Sequence, residues 1–477
     1  MNVLDLTRSK IEHEVLTFGS SSDNWRVFIY DIYTAKILGN LFSISDILSH
    51  NVLITYQMNL KREKINFPGL YFIDLNKENF NIIKNDIKNK IYTFFYVVIV
   101  KPSDYKVSLE KYENVQVKEY IIGHIPIEER VFLYHSIEEG IKSLFTQPIK
   151  KIYYTEKHSI MAERLFKHDK NGIEVLLLDR SIDLVSPLIH FFTFQAIIAD
   201  YNLETMEEDE LFIKIKHKHI AEVNKILVNE SKSIVNTVSN IDNTSSKNLM
   251  QLVLEVPEQI KLKESISFYL KQLNDIFDFY EQKNKKMVEL EQSISTGYNS
   301  DGSRFYLQME EVFQLFFNDF LQKEDKLRLF LLLSLKISFQ ENELNSLLKK
   351  GVFTKEEIGL SNKIKNFNFK LEKKKSPFNY QTSRFIPNLH EILLDIIENR
   401  SKLLTLGEIH ELSLRKTAFY GEKKKRVIVV LYDGSITYAE MCVIYEITKK
   451  MNVDIFLGGK YLYTPKEFIE GLKKNEI

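Results

Sequence analysis

Two aspartates four residues apart, Asp179 and Asp183, follow the apolar run 175–178. Carboxylates just past a strand end could hold a metal ion or share acid–base work. Arg180 lies between them, and no third carboxylate or histidine stands near at ligand spacing, so a hydrogen-bonded turn is the simpler reading. Asp183, Ser186 and His190 include the residue types of a hydrolase triad. Triad members ordinarily come from separate loops, and no GxSxG elbow is present. Gly458-Gly459-Lys460 resembles a phosphate loop but lacks the GxxxxGK[ST] spacing, and Tyr461 stands where a magnesium-binding hydroxyl would be needed. His217 and His219 could grip zinc from a strand. On a helix, positions i and i+2 diverge by about 200°, and residues 209–215 and 220–226 favour helix. The chain holds fragments of several chemistries and completes none of them.

The bulk composition narrows the classes further. At about 150 residues per domain, 477 residues suggest three domains. Hydrophobic residues make up 44%, with 33 Phe and 24 Tyr, enough for a sizeable core. Lys+Arg and Asp+Glu balance at 65 each, so no global field draws nucleic acid or an anionic membrane. The basic runs 373–375 and 423–426 read as solvated loops. A single cysteine, Cys442, excludes a disulfide scaffold and suits a reducing compartment. The N-terminus lacks a signal-peptide pattern, and no apolar run approaches the 18 residues of a membrane span. A protein acting at a membrane would then be brought there by a partner.

The elements that position these residues follow from periodicity. Residues 26–30, 52–56, 70–73 and 94–100 read as strands, with 77–88 as a helix between the last two. The unbroken apolar run 94–100 is the pattern of a strand buried on both faces, so the first 126 residues predict a parallel sheet covered by helices. Strands at 175–178, 427–431 and 454–457, with a helix at 438–450, form a second α/β set split by everything between. The middle, 206–400, is mostly helical. Ile266, Leu270, Leu273, Phe277 and Tyr280 follow a 4, 3, 4, 3 spacing, continued by Met287, Leu290 and Ile294. This heptad-like seam predicts a long helix facing another helix. Thr296-Gly297 and residues 299–302 break it, and Phe313, Phe316, Phe317 and Phe320 mark a second helix of a hairpin. Residues 326–337 predict a third, buried helix. Core packing explains the aromatic stripes one by one; apolar residues outside the seam need another helix, which suits helix-in-groove recognition.

Leu178-Asp179-Arg180-Ser181-Ile182-Asp183, with Val185-Ser186-Pro187-Leu188 and residues 190–196 (HFFTFQA), resembles the long signature of the Sec/Munc (SM) family. Members carry LDR, a D, SP, H and TFQA in this order. Trp25-Arg26-Val27 with Asp31, Lys61-Arg62-Glu63, His217 to Val223 (HKHIAEV), Glu291-Gln292 with Thr296-Gly297, Ser383 to Pro387 (SRFIP), and Thr464 to Phe468 (TPKEF) resemble further family segments. The resemblance covers essentially the whole chain.

It implies an α/β protein in a three-domain arch. Two parallel-sheet α/β domains, 1–126 and the split 127–205 with 401–477, would carry a mostly helical domain, 206–400, inserted in the second. It implies a non-enzymatic protein with no catalytic residue, cofactor or metal. Its partners would be a syntaxin-type (Qa) SNARE, the assembled SNARE complex and an R-SNARE; it would be a monomer that binds no nucleic acid and reaches membranes only through SNAREs. Asp31, Lys61, Arg62 and Glu63 fall at syntaxin-facing positions, Val117 and Glu119 near an outer pocket for a syntaxin N-terminal peptide. Phe277, Tyr280, Phe313, Phe316 and Phe317 belong to the hairpin thought to template SNAREs. The set HKHIAEV, EQ…TG and SRFIP is nearest the exocytic, plasma-membrane branch. The chain departs from the pattern at Ser43 and Tyr56, in the short stretches 130–175 and 201–209, and in having no proline between Gly302 and Phe320. Two rival readings remain: a metal-dependent enzyme using Asp179 and Asp183, and a tether that binds a small GTPase or coiled coil.

Overall fold

The computed structural model describes residues 2–20, 25–166, 172–206, 209–239, 246–280, 285–367, 369, 383–398, 407–410 and 425–475, with side chains outside 233–259 and 407–410. The basic run 373–375 lies outside the described residues. The chain is α/β, with mostly parallel sheets and many helices. It divides into two compact units: Met1–Leu178 with Thr405–Asp433 and Thr448–Tyr461, and Asp179–Leu404 with Gly434–Ile447 and Leu462–Ile477.

The first unit holds two sheets. Strands β1 (Arg26–Tyr30), β2 (Val52–Gln57), β3 (Gly69–Ile73), β4 (Phe95–Ile99) and β5 (Val115–Glu119) form a five-stranded sheet in the order β2-β1-β3-β4-β5. Every pairing is parallel. All five residues of β3 are buried, as expected for a strand covered on both faces. The helix Ile32–Leu38 that follows β1 starts at Asp31, whose carboxylate accepts from Thr34 N at 2.8 Å in a capping box. Asn76 caps the helix Lys77–Lys88, its side chain accepting from Asn79 N at 2.9 Å.

Strands β6 (His124–Glu128), β7 (Val131–Tyr134), β8 (Ile149–Tyr154), β9 (Ile173–Leu178), β10 (Gly407–His410), β11 (Arg426–Thr437) and β12 (Val453–Tyr463) form a seven-stranded sheet ordered β10-β8-β9-β11-β12-β7-β6. Here β11 lies parallel to β9, with Val429 opposite Val175. The segments far apart in sequence thus share one sheet, as their patterns suggest. One expectation changes. The strand from 427 does not end at Asp433-Gly434-Ser435 but runs on to Thr437, because Ser435 and Ile436 are fully buried and Thr437 starts the next helix. Gly458 sits in β12 where a Cβ would come 2.8 Å from Leu431 and Phe132, so the sheet packs closely only around glycine there.

The second unit is mostly helical. The helix Ser246–Phe279 is the long seam-bearing helix, and Lys285–Thr296 follows it. The buried seam keeps three of the five expected positions and shifts two of them by one residue. Ile266, Tyr269, Leu273, Ile276 and Tyr280 face the core, while Leu270 and Phe277 flank it half-buried. Their partners are Ile220, Val223 and Leu227 on the helix Ile220–Ser239, together with Phe192 and Phe194 of the signature run. The second arm of the hairpin is shorter than its aromatics suggest. It spans Met309–Phe316, because the Asn318 side chain takes Phe320 N at 2.9 Å and turns the chain away, leaving Phe320 exposed. The third helix is Lys323–Ser334, nearly all of it buried.

Candidate functional site

The signature run begins where β9 ends. Asp179 caps a single 3-10 turn, Arg180–Ile182, by accepting from Ser181 N at 2.8 Å. Asp183 has no exposed surface. Its carboxylate accepts from Val185 N and Ser186 N at 2.9 Å, from Ser186 Oγ at 2.6 Å and from Asn388 N at 3.0 Å. A carboxylate so filled with donors is a joint rather than a metal ligand or a base. Ser186 therefore donates to Asp183, and His190 takes no part in that contact.

The basic and acidic members of the run are paired with residues far away in sequence. Arg180 donates to Glu440, both buried. The other Glu440 oxygen accepts from Thr437 N at 2.9 Å, so one carboxylate caps the helix Tyr438–Lys450 and neutralises the arginine. His190 Nδ1 lies 2.8 Å from Glu291 Oε2 and its Nε2 lies 3.4 Å from Asp325 Oδ1. Burial and the nearby Arg328 charge push this imidazole down, but the Glu291 and Asp325 carboxylates prevail and hold its pKa up at about 9. Arg328 completes the cluster with both oxygens of Asp200 at 3.0 and 2.9 Å and with Leu188 O at 3.2 Å.

Two later motifs close on the same place. Glu291 binds His190, while the adjacent Gln292 accepts from Arg384 N and Phe385 N at 2.8 and 2.9 Å. The pair thus joins the signature run to the SRFIP segment. His217 stacks on Tyr445 with ring centroids 4.1 Å apart. His219 Nε2 lies 3.1 Å from Ser383 Oγ, and burial lowers its pKa to about 4. The two histidines occupy a turn before the helix Ile220–Ser239 and contact different elements. In the first unit, Lys460 of the phosphate-loop-like run is inside β12, 2.6 Å from Asp433. Of the second basic run, Lys425 pairs with Asp454 at 2.9 Å and Arg426 with Glu174 at 2.6 Å.

The residues expected to face a partner divide into two kinds. Asp31 is buried, and its second oxygen accepts from Asp74 N and Asn79 Nδ2 at 2.8 and 2.9 Å. Arg62 turns inward, 2.7 Å from Asp86 Oδ2, and Tyr71 OH donates to the same oxygen. Both therefore hold the first sheet's loops in place. Lys61 and Glu63 are exposed beside them, near a run of exposed apolar residues, Leu53, Ile54 and Leu60, on and after the edge strand β2. Val117 is half-buried on β5, the other edge, and Glu119 is exposed there, 3.2 Å from Lys106. On the hairpin, Tyr280 and Phe316 are core residues; Phe277, Phe313 and Phe317 are half-buried. Tyr306 and Phe320, 76% and 84% exposed, are the aromatics that stand out among the described residues of this unit. Neither was singled out as a surface from sequence, and Tyr306 offers no periodic signal. The buried pairs 180/440, 190/291 and 200/328 were also missed, because their members lie far apart in the chain.

Comparison with known proteins places the chain by family and fold. The model of the Sec1 family matches residues 26–471. Protein transport protein sec1 of Schizosaccharomyces pombe is 20% identical over 570 residues, covering 94% of this chain and 82% of that protein. The Unc18–syntaxin 1 complex from Monosiga brevicollis contains a chain that superposes with a TM-score of 0.81 at 19% identity, over 99% of both. The SM protein Vps45, solved in complex with the Qa SNARE Tlg2, superposes with a TM-score of 0.79 at 18% identity, over 99% of this chain and 98% of that one. At such identities the superpositions speak to the fold.

Proposed function

We propose a SNARE-binding function from one premise: this chain belongs to the Sec1 family. It binds a syntaxin-type (Qa) SNARE and acts in membrane trafficking as a chaperone of SNARE pairing, without turnover. The observation that carries the reading is the fate of the signature run. Its Asp, Arg, Ser and His side chains, the ones an enzyme would use, are consumed in buried bonds that tie the run to the helices Tyr438–Lys450, Asn388–Glu398 and, through Glu291, Lys285–Thr296. What remains for function is surface. The two structural neighbours were solved with a syntaxin-type partner, syntaxin 1 and the Qa SNARE Tlg2, which supports the partner class.

In this reading the chain has three domains, 1–126, 127–205 with 401–477, and 206–400. Lys61 and Glu63 contact the Qa SNARE directly, with Leu53, Ile54 and Leu60 as apolar neighbours, while Asp31 and Arg62 hold the loops that present them. Charges at such a rim set register and association rate more than affinity. Val117 and Glu119 flank the site for an N-terminal peptide. The hairpin, with Phe277, Phe313 and Phe317 on its half-buried shoulders and Tyr280 and Phe316 beneath, templates an R-SNARE and accepts the assembled complex. The protein is a monomer recruited to membranes by these partners. No helix among the described residues is long and apolar enough to cross a membrane. Exocytosis at the plasma membrane is the step favoured by the HKHIAEV, EQ…TG and SRFIP segments.

Calorimetric titration with soluble Qa SNARE domains of the same cell, one per compartment, tests this. Sub-micromolar binding to one of them, about −8 kcal/mol or better, supports the reading and names the compartment. No binding to any, alone or in an assembled bundle, refutes it.

A further inference from the structure

Residues 383–387 form neither helix nor strand, and they lead into the helix Asn388–Glu398. Such a segment has no ladder of its own to hold it, so its course is set by what it bonds to. The bonds are many and go to four places. Ser383 Oγ meets His219 Nε2 at 3.1 Å. The backbone of Arg384 and Phe385 donates to the Gln292 side chain. Asn388 donates to Asp183 Oδ2 at 3.0 Å and to Ile182 O at 2.9 Å. Between these anchors the buried Arg384 guanidinium donates to Tyr298 O, to Glu289 O at 3.3 Å and to Ser293 Oγ at 3.0 Å.

Those three acceptors straddle the end of the helix Lys285–Thr296. Gly297 leaves the helix at φ +80, the left-handed conformation that closes helices, with its N–H on Ser293 O at 2.9 Å. The chain then folds back on itself. Tyr298 bridges Arg304, Asn299 N bonds Ser303 O at 2.8 Å, and Asp301 accepts from Ser303 N at 2.8 Å. These bonds fix the shape of the turn 298–304, Phe305 N on Gly297 O at 3.0 Å closes its base, and Phe305 and Leu307 pack on the core beyond it. Thr296 Oγ1 touches Tyr298 locally at 3.2 Å. Arg384 reaches the same carbonyl from outside, and a planar guanidinium binding the helix and the turn at once constrains the angle between them.

We propose that Arg384 is a positioning residue for SNARE binding: it latches the turn 298–304 to the end of the helix Lys285–Thr296 and so sets where the exposed Tyr306 and the hairpin's second arm stand. This rests on the reading that the hairpin is the partner surface. The strap joins that latch to the signature run through Asn388 and Asp183, so the hairpin's aim is set by residues outside it. Release of Arg384 loosens the turn against the helix end, while the base bond from Phe305 N to Gly297 O and the helices on either side persist.

Hydrogen exchange of the full chain tests the latch independently of any partner. In Arg384→Ala, amides of 297–304 are expected to exchange at least tenfold faster, with Lys323–Ser334 unchanged. Arg384→Lys, which keeps one donor group of three contacts, falls between. If Arg384→Ala does not fold, Gln292→Met with Ser293→Ala removes the strap's anchor and one guanidinium acceptor, and the same region responds. Unchanged exchange at 297–304 overturns the proposal. The second readout is the dissociation rate of the soluble Qa SNARE domain and of an R-SNARE helix, expected to rise at least fivefold in Arg384→Ala and less in Arg384→Lys. Faster exchange with unchanged dissociation overturns the functional part. Faster exchange in a protein whose wild type binds no SNARE upholds the latch and refutes the SNARE reading.

Discussion

Replacing His190 by Gln keeps a hydrogen-bond donor for Glu291 and removes the charge. His190 and Glu291 are fully buried, so the imidazolium stands between two carboxylates that have almost no water to share. The fold holds His190 at about 9, against an ordinary 6.5. That gap is worth about 3 kcal/mol. A folded-state pKa raised in this way gives stability that is fully present below about pH 6.5 and lost as pH rises through about 9. His190→Gln is therefore expected to cost about 3 kcal/mol near pH 6, and most of that difference disappears by about pH 10. A single unfolding free energy is poorly defined for a chain with two compact units. Pulse proteolysis along a urea series, with cleavages within Lys285–Thr296 followed by mass spectrometry, reports on the right unit. Midpoints of wild type and His190→Gln should be well separated near pH 6 and converge near pH 10. A separation that is the same at both values would mean that His190 is a neutral hydrogen-bonding residue, and the charge argument would fail.

Other substitutions separate framework from surface. Arg62→Glu places a second carboxylate beside Asp86 and is expected to lower stability by about 3 kcal/mol, read as a fall in melting temperature; any loss of partner binding in it is then secondary. Lys61→Glu, on an exposed side chain, should change stability by no more than about 0.5 kcal/mol and alter the rate of association with a SNARE. Asp183→Asn turns an acceptor facing four donors into a partial donor, and about 2 kcal/mol of destabilisation is expected; unchanged stability in denaturant titration would contradict the joint described for it. Gly458→Ala forces a methyl against Leu431 and Phe132 and should lower stability by about 1 to 3 kcal/mol, measured by thermal unfolding.

The strands and the inserted helical block are legible because each carries its own period. The apolar runs at 26–30 and 95–99 and the capped helix 77–88 need no distant information. The heptad-like seam identifies the long helix but not which face is inner. Tyr269 and Ile276 face the core where Leu270 and Phe277 also fit the spacing, and the choice is made by Phe192, Phe194 and the helix Ile220–Ser239. Asp433-Gly434-Ser435 has the composition of a turn, yet burial of Ile436 draws it into β11. Phe313 to Phe320 is aromatic enough for a long helix, and one Asn318 hydrogen bond decides otherwise. Of the candidate site, the signature's residues are visible and their partners are not. Arg328 and Asp325 show a helical i, i+3 spacing, but nothing local links Arg180 to Glu440 or His190 to Glu291. Asp31 and Arg62 have the look of surface charges until Asn79 and Asp86 appear beside them.

The central neighbours of the seven-stranded sheet, β9 and β11, are separated by roughly 250 residues of chain. A ribosome adding about 5 to 20 residues per second needs about 12 to 50 seconds to supply that stretch. Throughout this interval β9, six consecutive buried residues in the finished protein, emerges with one edge unpaired and its apolar faces incompletely covered. The nascent first half thus carries an open edge that can pair with another chain until β11 arrives. A premature stop anywhere before β11 would release a fragment whose sheet cannot close. Such truncated chains should be removed by quality control or aggregate rather than accumulate as a folded half-protein.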